Sequence, residues 1–169
     1  MILRDLAPRL RAAAESMPVV TLTGPRQSGK STLCRELFSS HTYVSLEAPD
    51  QREFAAEDPR GFLGQFGGGV ILDEVQRVPE LPSYLQGIVD DDPTPGRWVL
   101  TGSQNFALVE SIGQSLAGRT SVHHLLPLTW NEVRRFGGPP KSLDEALLEG
   151  GYPRIHDRRL DAGEWLGSY

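Results

Sequence analysis

Gly24, Gly29, Lys30 and Ser31 occupy the fixed places of the pattern G-x-x-x-x-G-K-[ST] within VVTLTGPRQSGKSTLCRELF, residues 19–38. Their chemistry is phosphate binding. The two glycines let a turn adopt backbone angles that other residues resist. Backbone N–H groups can then converge on phosphate oxygens, helped by the positive end of the helix that starts near Lys30. The Lys30 ammonium is expected at the β- and γ-phosphates and the Ser31 hydroxyl on Mg²⁺. The whole cradle runs Gly24, Pro25, Arg26, Gln27, Ser28, Gly29, Lys30, Ser31 and Thr32. Arg26 can add charge near a phosphate, although variable positions in such a loop usually face solvent. An apolar strand enters the pattern and an amphipathic helix leaves it, a context that a glycine-rich surface turn rarely has.

Two carboxylates end the apolar run GGGVILDEVQ. In open parallel sheets, ligands sit beyond the carboxyl ends of the strands, where the phosphate loop also lies. Asp73 is expected to hold Mg²⁺ through its hydration shell. Glu74 can accept a proton from an attacking water, or orient it. A site that only grips phosphate needs Asp73 but not Glu74. A further strand ends in LTGSQNF, where Ser103 or Gln104 can hydrogen-bond that water or the γ-phosphate; the plainer reading is a strand-to-helix turn. Arg119, in SLAGRTSV, either pairs bidentately with a phosphoryl group or complements the dipole at a helix carboxyl end.

Positioning these groups requires a sheet. Short runs rich in β-branched and aromatic residues recur at VVTLT (19–23), YVSL (43–46), VIL (70–72), WVLT (98–101) and VHHLL (122–126). They are continuous rather than alternating, which suits parallel strands covered on both faces. Helical spacing lies between them: Leu33 and Leu37, then Leu85, Ile88 and Val89, then Val109, Ile112 and Leu116. Strand–helix alternation predicts an α/β sheet with right-handed crossovers. A first amphipathic helix is expected over 2–15, with Leu3, Leu6 and Leu10 on one stripe, ending before Pro18. Residues 1–135 read as the core. Residues 136–169 read as the truncated start of a lid or following domain, with helices at TWNEVRRF and SLDEALLE and a loop at GGYPRIHD.

Composition narrows the class. The 169 residues carry a net charge of −5 with 23% charged residues, which opposes a broad grip on nucleic acid or anionic lipid. The single cysteine, Cys34, offers no disulfide framework and reads as a buried spacer. No apolar run approaches a membrane span and the amino terminus lacks an apolar signal core, so a cytoplasmic location without membrane contact is expected. His123 and His124 fall in a strand, so at least one should face the core. Trp98 and Trp130 read as core aromatics, and the basic pairs in EVRRF and DRRLD as solvated faces.

The ordered set GPRQSGKST, VILDEVQ, VLTGSQNF, SLAGR and LLPLTWNE resembles the AAA+ ATPases, and within them a prokaryotic group with a C-terminal domain of unknown function. YVSLEAPDQREFAAEDP is similar to that group's second-strand region, and the likeness runs from about residue 3 to about residue 155. The resemblance implies a P-loop NTPase three-layer sandwich: a parallel five-stranded sheet of order 5-1-4-3-2 with helices on both faces. It makes Gly24 to Thr32 the Walker A loop and Asp73 with Glu74 the Walker B pair. Ser103 or Gln104 falls at sensor 1 and Arg119 at the arginine-finger position. Gly67 to Gly69 depart from a firm apolar start to the Asp73 strand, which is therefore expected to be short.

The leading expectation is Mg²⁺-dependent ATP hydrolysis, coupled to a regulatory or nucleic-acid-linked process. The alternative is a nucleotide-gated switch with little turnover. The implied partners are ATP, a further copy of the chain if Arg119 acts in trans, and DNA through a missing C-terminal domain. A small-molecule kinase is disfavoured because the Asp73–Glu74 pair suits water activation. A guanine-specific GTPase is disfavoured because no Asn-Lys-x-Asp stretch occurs.

Overall fold

The computed structural model describes residues 2–103, 112–136 and 139–168. Five strands, β1 (Val19–Gly24), β2 (Thr42–Ser45), β3 (Val70–Asp73), β4 (Trp98–Ser103) and β5 (Thr120–His124), form one sheet of order β2-β3-β4-β1-β5. Every pairing is parallel. This is the expected order read from the other edge. The 5-1-4-3-2 sequence and the five expected runs are all present, with β5 starting two residues early.

The helices are α1 (Ala7–Ser16), α2 (Lys30–Leu37), α3 (Pro49–Glu57), α4 (Pro59–Gly64), α5 (Leu81–Asp91), α6 (Trp130–Val133), α7 (Leu143–Glu149), α8 (Pro153–Arg158) and α9 (Ala162–Gly167). Residues 112–115 are also helical. Period-2 alternation divides the sheet between two cores. On one face Val19, Val70, Leu72, Trp98 and Leu100 pack under α4, α5 and the 112–115 turn, through Phe62, Leu85, Ile112 and Leu116. On the other face Val20, Leu22, Ile71 and Val99 pack under α1 and α2, through Leu10, Leu33 and Cys34. Each fully buried apolar side chain of this size contributes about 1.5–3 kcal/mol. All six residues of β1 are buried, as a central strand between two helical layers requires.

The edges depart from expectation. β5 is covered on one side of the sheet only in part: His123 is half-buried and His124 exposed, so neither histidine is a core residue. Trp98 is a core aromatic, but Trp130 is half exposed. Leu3 precedes α1 and lies in solvent rather than on its buried stripe. The predicted loop GGYPRIHD contains a helix, because Pro153 sits in the first turn of α8, where its missing N–H costs nothing. In EVRRF, Glu132 is buried rather than solvated, and only the first turn, α6, is helical. β3 is short, as the glycines before it suggest. A Cβ on Gly69 would lie 2.6 Å from the His41 ring, so glycine lets that ring reach the Gly96 carbonyl.

Candidate functional site

The turn from β1 to α2 is shaped by positive backbone angles. Gly24 has φ 152°, and a Cβ there would stand 2.2 Å from the Leu125 carbonyl oxygen, so only glycine fits against β5. Gly29 has φ 94° and opens α2. Gln27 adopts φ 59° without being glycine, a strain of order 1–3 kcal/mol that surrounding structure must hold. Part of that support comes from buried Ser28, whose hydroxyl donates to the Pro25 carbonyl at 2.9 Å.

Lys30 is buried, and its ammonium donates to the carbonyls of Gly24 at 3.0 Å and Pro25 at 2.7 Å. Burial lowers its pKa from the ordinary lysine value, with the Glu74 and Asp73 carboxylates opposing that shift. Arg26 is exposed and approaches Glu47 at 3.9 Å. Thr32 is exposed on the wall of the same cavity.

Asp73, at the tip of β3, is buried and accepts from hydroxyls on three elements. Ser31 Oγ lies 3.0 and 2.9 Å from its two oxygens. Tyr43 Oη donates to Oδ2 at 2.6 Å, and Thr101 Oγ1 donates to Oδ1. Burial and this bond push the Tyr43 phenol up to about 12, so it remains a donor. Glu74 follows in the left-handed region, φ 60°, and one of its oxygens, Oε2, accepts from Ser103 Oγ at 3.2 Å and from Gln76 Nε2. The structure thus brings Lys30, Ser31, Asp73, Glu74 and Ser103 together. Gln104 lies outside the described residues, as does Val109.

Arg119 lies elsewhere. It precedes β5, beside Val19 at the start of β1. β1 runs five residues from there to Gly24, roughly 16 Å at about 3.3 Å per residue. Its guanidinium pairs bidentately with Asp90 of α5, Nε at 2.5 Å and Nη2 at 2.9 Å. It cannot reach the phosphate loop of its own chain.

Gln27, Gly29 to Thr32 and Glu74 line a cavity of about 550 Å³. Ile2, Leu128, Phe136 and Pro153 give it an apolar wall, and Arg154, Asp157 and Arg158 of α8 a charged one. Arg4 stands at its base and is fully engaged. Its guanidinium donates to Glu132 Oε1 at 3.0 Å, to the Ser28 carbonyl at 2.8 Å and to the Leu126 carbonyl at 2.8 Å. Sequence reasoning missed Arg4, Tyr43, Thr101 and Gln76. Only Tyr43 and Thr101 left a signal: each stands within a strand, on the face that alternation shares with Asp73.

The site fits a nucleoside triphosphate with a hard divalent cation. Its groups are a buried ammonium at Lys30 and a hydroxyl, Ser31, beside the Asp73 carboxylate. Oxygen-only donors suit Mg²⁺, which keeps several waters and leans on substrate phosphates. Among the described residues no group of three His, Cys, Asp or Glu side chains could hold a metal alone.

The profile of the AAA domain family matches residues 16–134. Uncharacterized proteins of Mycobacterium bovis and Mycobacterium tuberculosis are each 37% identical over 169 residues, covering 98% of this chain and 37% of theirs. The chain therefore spans little more than a third of the length of these relatives. The Walker-type ATPase of Pyrococcus abyssi superposes with a TM-score of 0.63 at 18% identity, over 99% of this chain and 71% of that one. A signal transduction ATPase with numerous domains and a tetratricopeptide repeat sensor, from Pyrococcus horikoshii, gives 0.57 at 12% identity, over 92% and 29%. These two likenesses establish the fold. No helix among the described residues is long and apolar enough to cross a membrane.

Proposed function

This chain belongs to the AAA family of P-loop ATPase domains, and we propose from its site that it binds ATP with Mg²⁺ and hydrolyses the β–γ phosphoanhydride. The observation that carries the proposal is the contact of Ser31 Oγ with both oxygens of Asp73, on the cavity that also holds Lys30 and Glu74. Backbone groups from Gly24 to Thr32 would cradle the β- and γ-phosphates, with the Lys30 ammonium swinging from two carbonyls to phosphate oxygens. Magnesium, held by Ser31 and through water by Asp73, would supply positive charge against the phosphates. Ile2, Leu128, Phe136 and Pro153 offer the apolar surface on which a base would stack.

Glu74 has one oxygen anchored by Ser103 and Gln76, which leaves the other to accept a proton from water attacking the γ-phosphorus. The bond from that phosphorus to the bridging oxygen breaks, and ADP departs with the electron pair. Glu74→Gln should keep ATP binding and lower turnover by about 10² or more. Equal turnover in that variant would remove Glu74 from the chemistry.

The second reading, a nucleotide-gated switch with little turnover in the isolated chain, draws on Arg119. Its guanidinium is held by Asp90 at the far end of the sheet, so it serves the reaction only on the nucleotide of a neighbouring copy. Residues 136–169 act in this proposal as part of a lid or of a following domain, with α8 on the cavity wall. The process driven is proposed to be regulatory or linked to nucleic acid. Hydrolysis measured with and without DNA on a chain of the relatives' full length tests it; identical rates count against the DNA link.

A further inference from the structure

Three hydroxyls address Asp73, and their directions differ. Ser31 Oγ is nearly equidistant from the two carboxylate oxygens, so it lies on the bisector of the group. Tyr43 takes Oδ2 from one side and Thr101 takes Oδ1 from the other. These flanking donors come from β2 and β4, the two strands that bracket β3. We propose that Tyr43 is a positioning residue for Asp73, one of two lateral hydroxyl clamps that aim the carboxylate at the Ser31 hydroxyl. Through that aim it sets how tightly the site takes magnesium. The inference rests on the reading of Ser31 and Asp73 as the metal end of the site.

Register explains why the residue is a tyrosine. Ser45 stands opposite Asp73, and Tyr43 stands opposite Ile71, one step back on the same face. Two residues of strand amount to about 6.6 Å along the axis. A serine or threonine at position 43 would fall short of the carboxylate, whereas a phenol spans the gap. The ring packs against the buried cluster that contains Ile71, and the Arg35 guanidinium lies 4.8 Å from its centroid. The terminal torsion of an aspartate is soft and broad. Two lateral donors from the flanking strands remove that freedom while leaving the bisector to Ser31. With a cation at Ser31, the clamps would keep their partners and hold the carboxylate toward the ion's hydration shell. Partners of this outer kind commonly change metal affinity by about 10- to 100-fold.

The test uses the whole chain and a fluorescent ATP analogue titrated with MgCl₂. Tyr43→Phe should raise the magnesium concentration for half-maximal binding about tenfold. Affinity for the analogue in EDTA should stay unchanged. In an Asp73→Asn background, Tyr43→Phe should add no further shift. A midpoint within twofold of the parent overturns the proposal, as does an equal loss of affinity in EDTA, which would mean that the ring only supports the loop. An additive shift on top of Asp73→Asn overturns it too. The underlying site reading fails separately, if Asp73→Asn alone leaves the magnesium midpoint where it was. Because phenylalanine keeps the ring against that cluster and beside Arg35, thermal unfolding should be little altered, and a large fall in Tm together with an unmoved magnesium midpoint assigns Tyr43 to packing alone.

Discussion

Ser31 Oγ lies 3.0 and 2.9 Å from the two carboxylate oxygens of Asp73, across 42 residues of chain. The contact joins the first turn of α2 to the tip of β3, and Lys30 of the same turn faces the same cavity. Phosphate binding and metal binding should therefore separate by mutation. Lys30→Ala should weaken ATP binding about 10- to 100-fold with or without Mg²⁺, matching ~1.5–3 kcal/mol for hydrogen bonds to charged groups. Asp73→Asn should weaken it only when Mg²⁺ is present. Calorimetric titration in EDTA and in MgCl₂ decides, and parallel losses for both variants would merge the two roles.

Gly24 should tolerate no side chain. A Cβ there meets the Leu125 carbonyl oxygen at 2.2 Å, at a φ of 152°. Gly24→Ala should cost about 2 kcal/mol or more, a fall of roughly 4–8 °C in Tm for a chain of this size. Gly67→Ala is the control, since nothing lies within 4 Å of its added carbon. Similar Tm values for the two variants would contradict the close approach of the loop to β5.

The Arg4–Glu132 pair should make stability depend on acid. Both side chains are buried, and Glu132 also accepts from the N–H groups of Asp5 at 2.7 Å and Thr129 at 2.8 Å. Burial raises the Glu132 pKa, but those N–H groups and Arg4 outweigh it and hold the carboxyl below its ordinary 4.5. Its stabilisation is therefore complete above about pH 4.5 and is lost as pH falls through the lower folded value. Urea unfolding from pH 6 down to pH 3 should show a flatter dependence for Glu132→Gln than for the parent. Glu132→Ala leaves Arg4 buried without its partner and should cost about 3–5 kcal/mol. A parent and Gln variant with the same pH slope would argue against the pair.

Arg119 should act between copies or not at all. Its placement beside Asp90 predicts a specific ATPase rate that rises with protein concentration. Arg119→Ala should lower that rate by about 10³ or more. Mixing Arg119→Ala with Lys30→Ala should recover activity that neither variant has alone, because each chain supplies what the other lacks. A rate independent of concentration, with no recovery on mixing, would exclude trans action.

The phosphate loop was legible because it is contiguous. Gly24, Gly29, Lys30 and Ser31 act within one turn, where short-range sterics and hydrogen bonds decide the shape. Asp73 and Glu74 were legible from their place after an apolar run. Misreadings fell where context overrides local pattern. GGYPRIHD carries turn residues, yet Pro153 starts a helix against the cavity. Trp130 and the two histidines have core-like neighbours in sequence but lie at the sheet edge or beyond it.

From the amino-acid order alone came the loop, the acidic strand tip and the five runs of the sheet; their spatial order came through family resemblance. These follow from backbone angles and periodicities that act over a few residues. Folding in three dimensions decided which hydroxyls meet Asp73, that Arg4 lies beneath the loop, and that Arg119 stands at the opposite end from Lys30. Such neighbours depend on the register of strands distant in sequence and on how two cores press helices onto them, and no local preference encodes that.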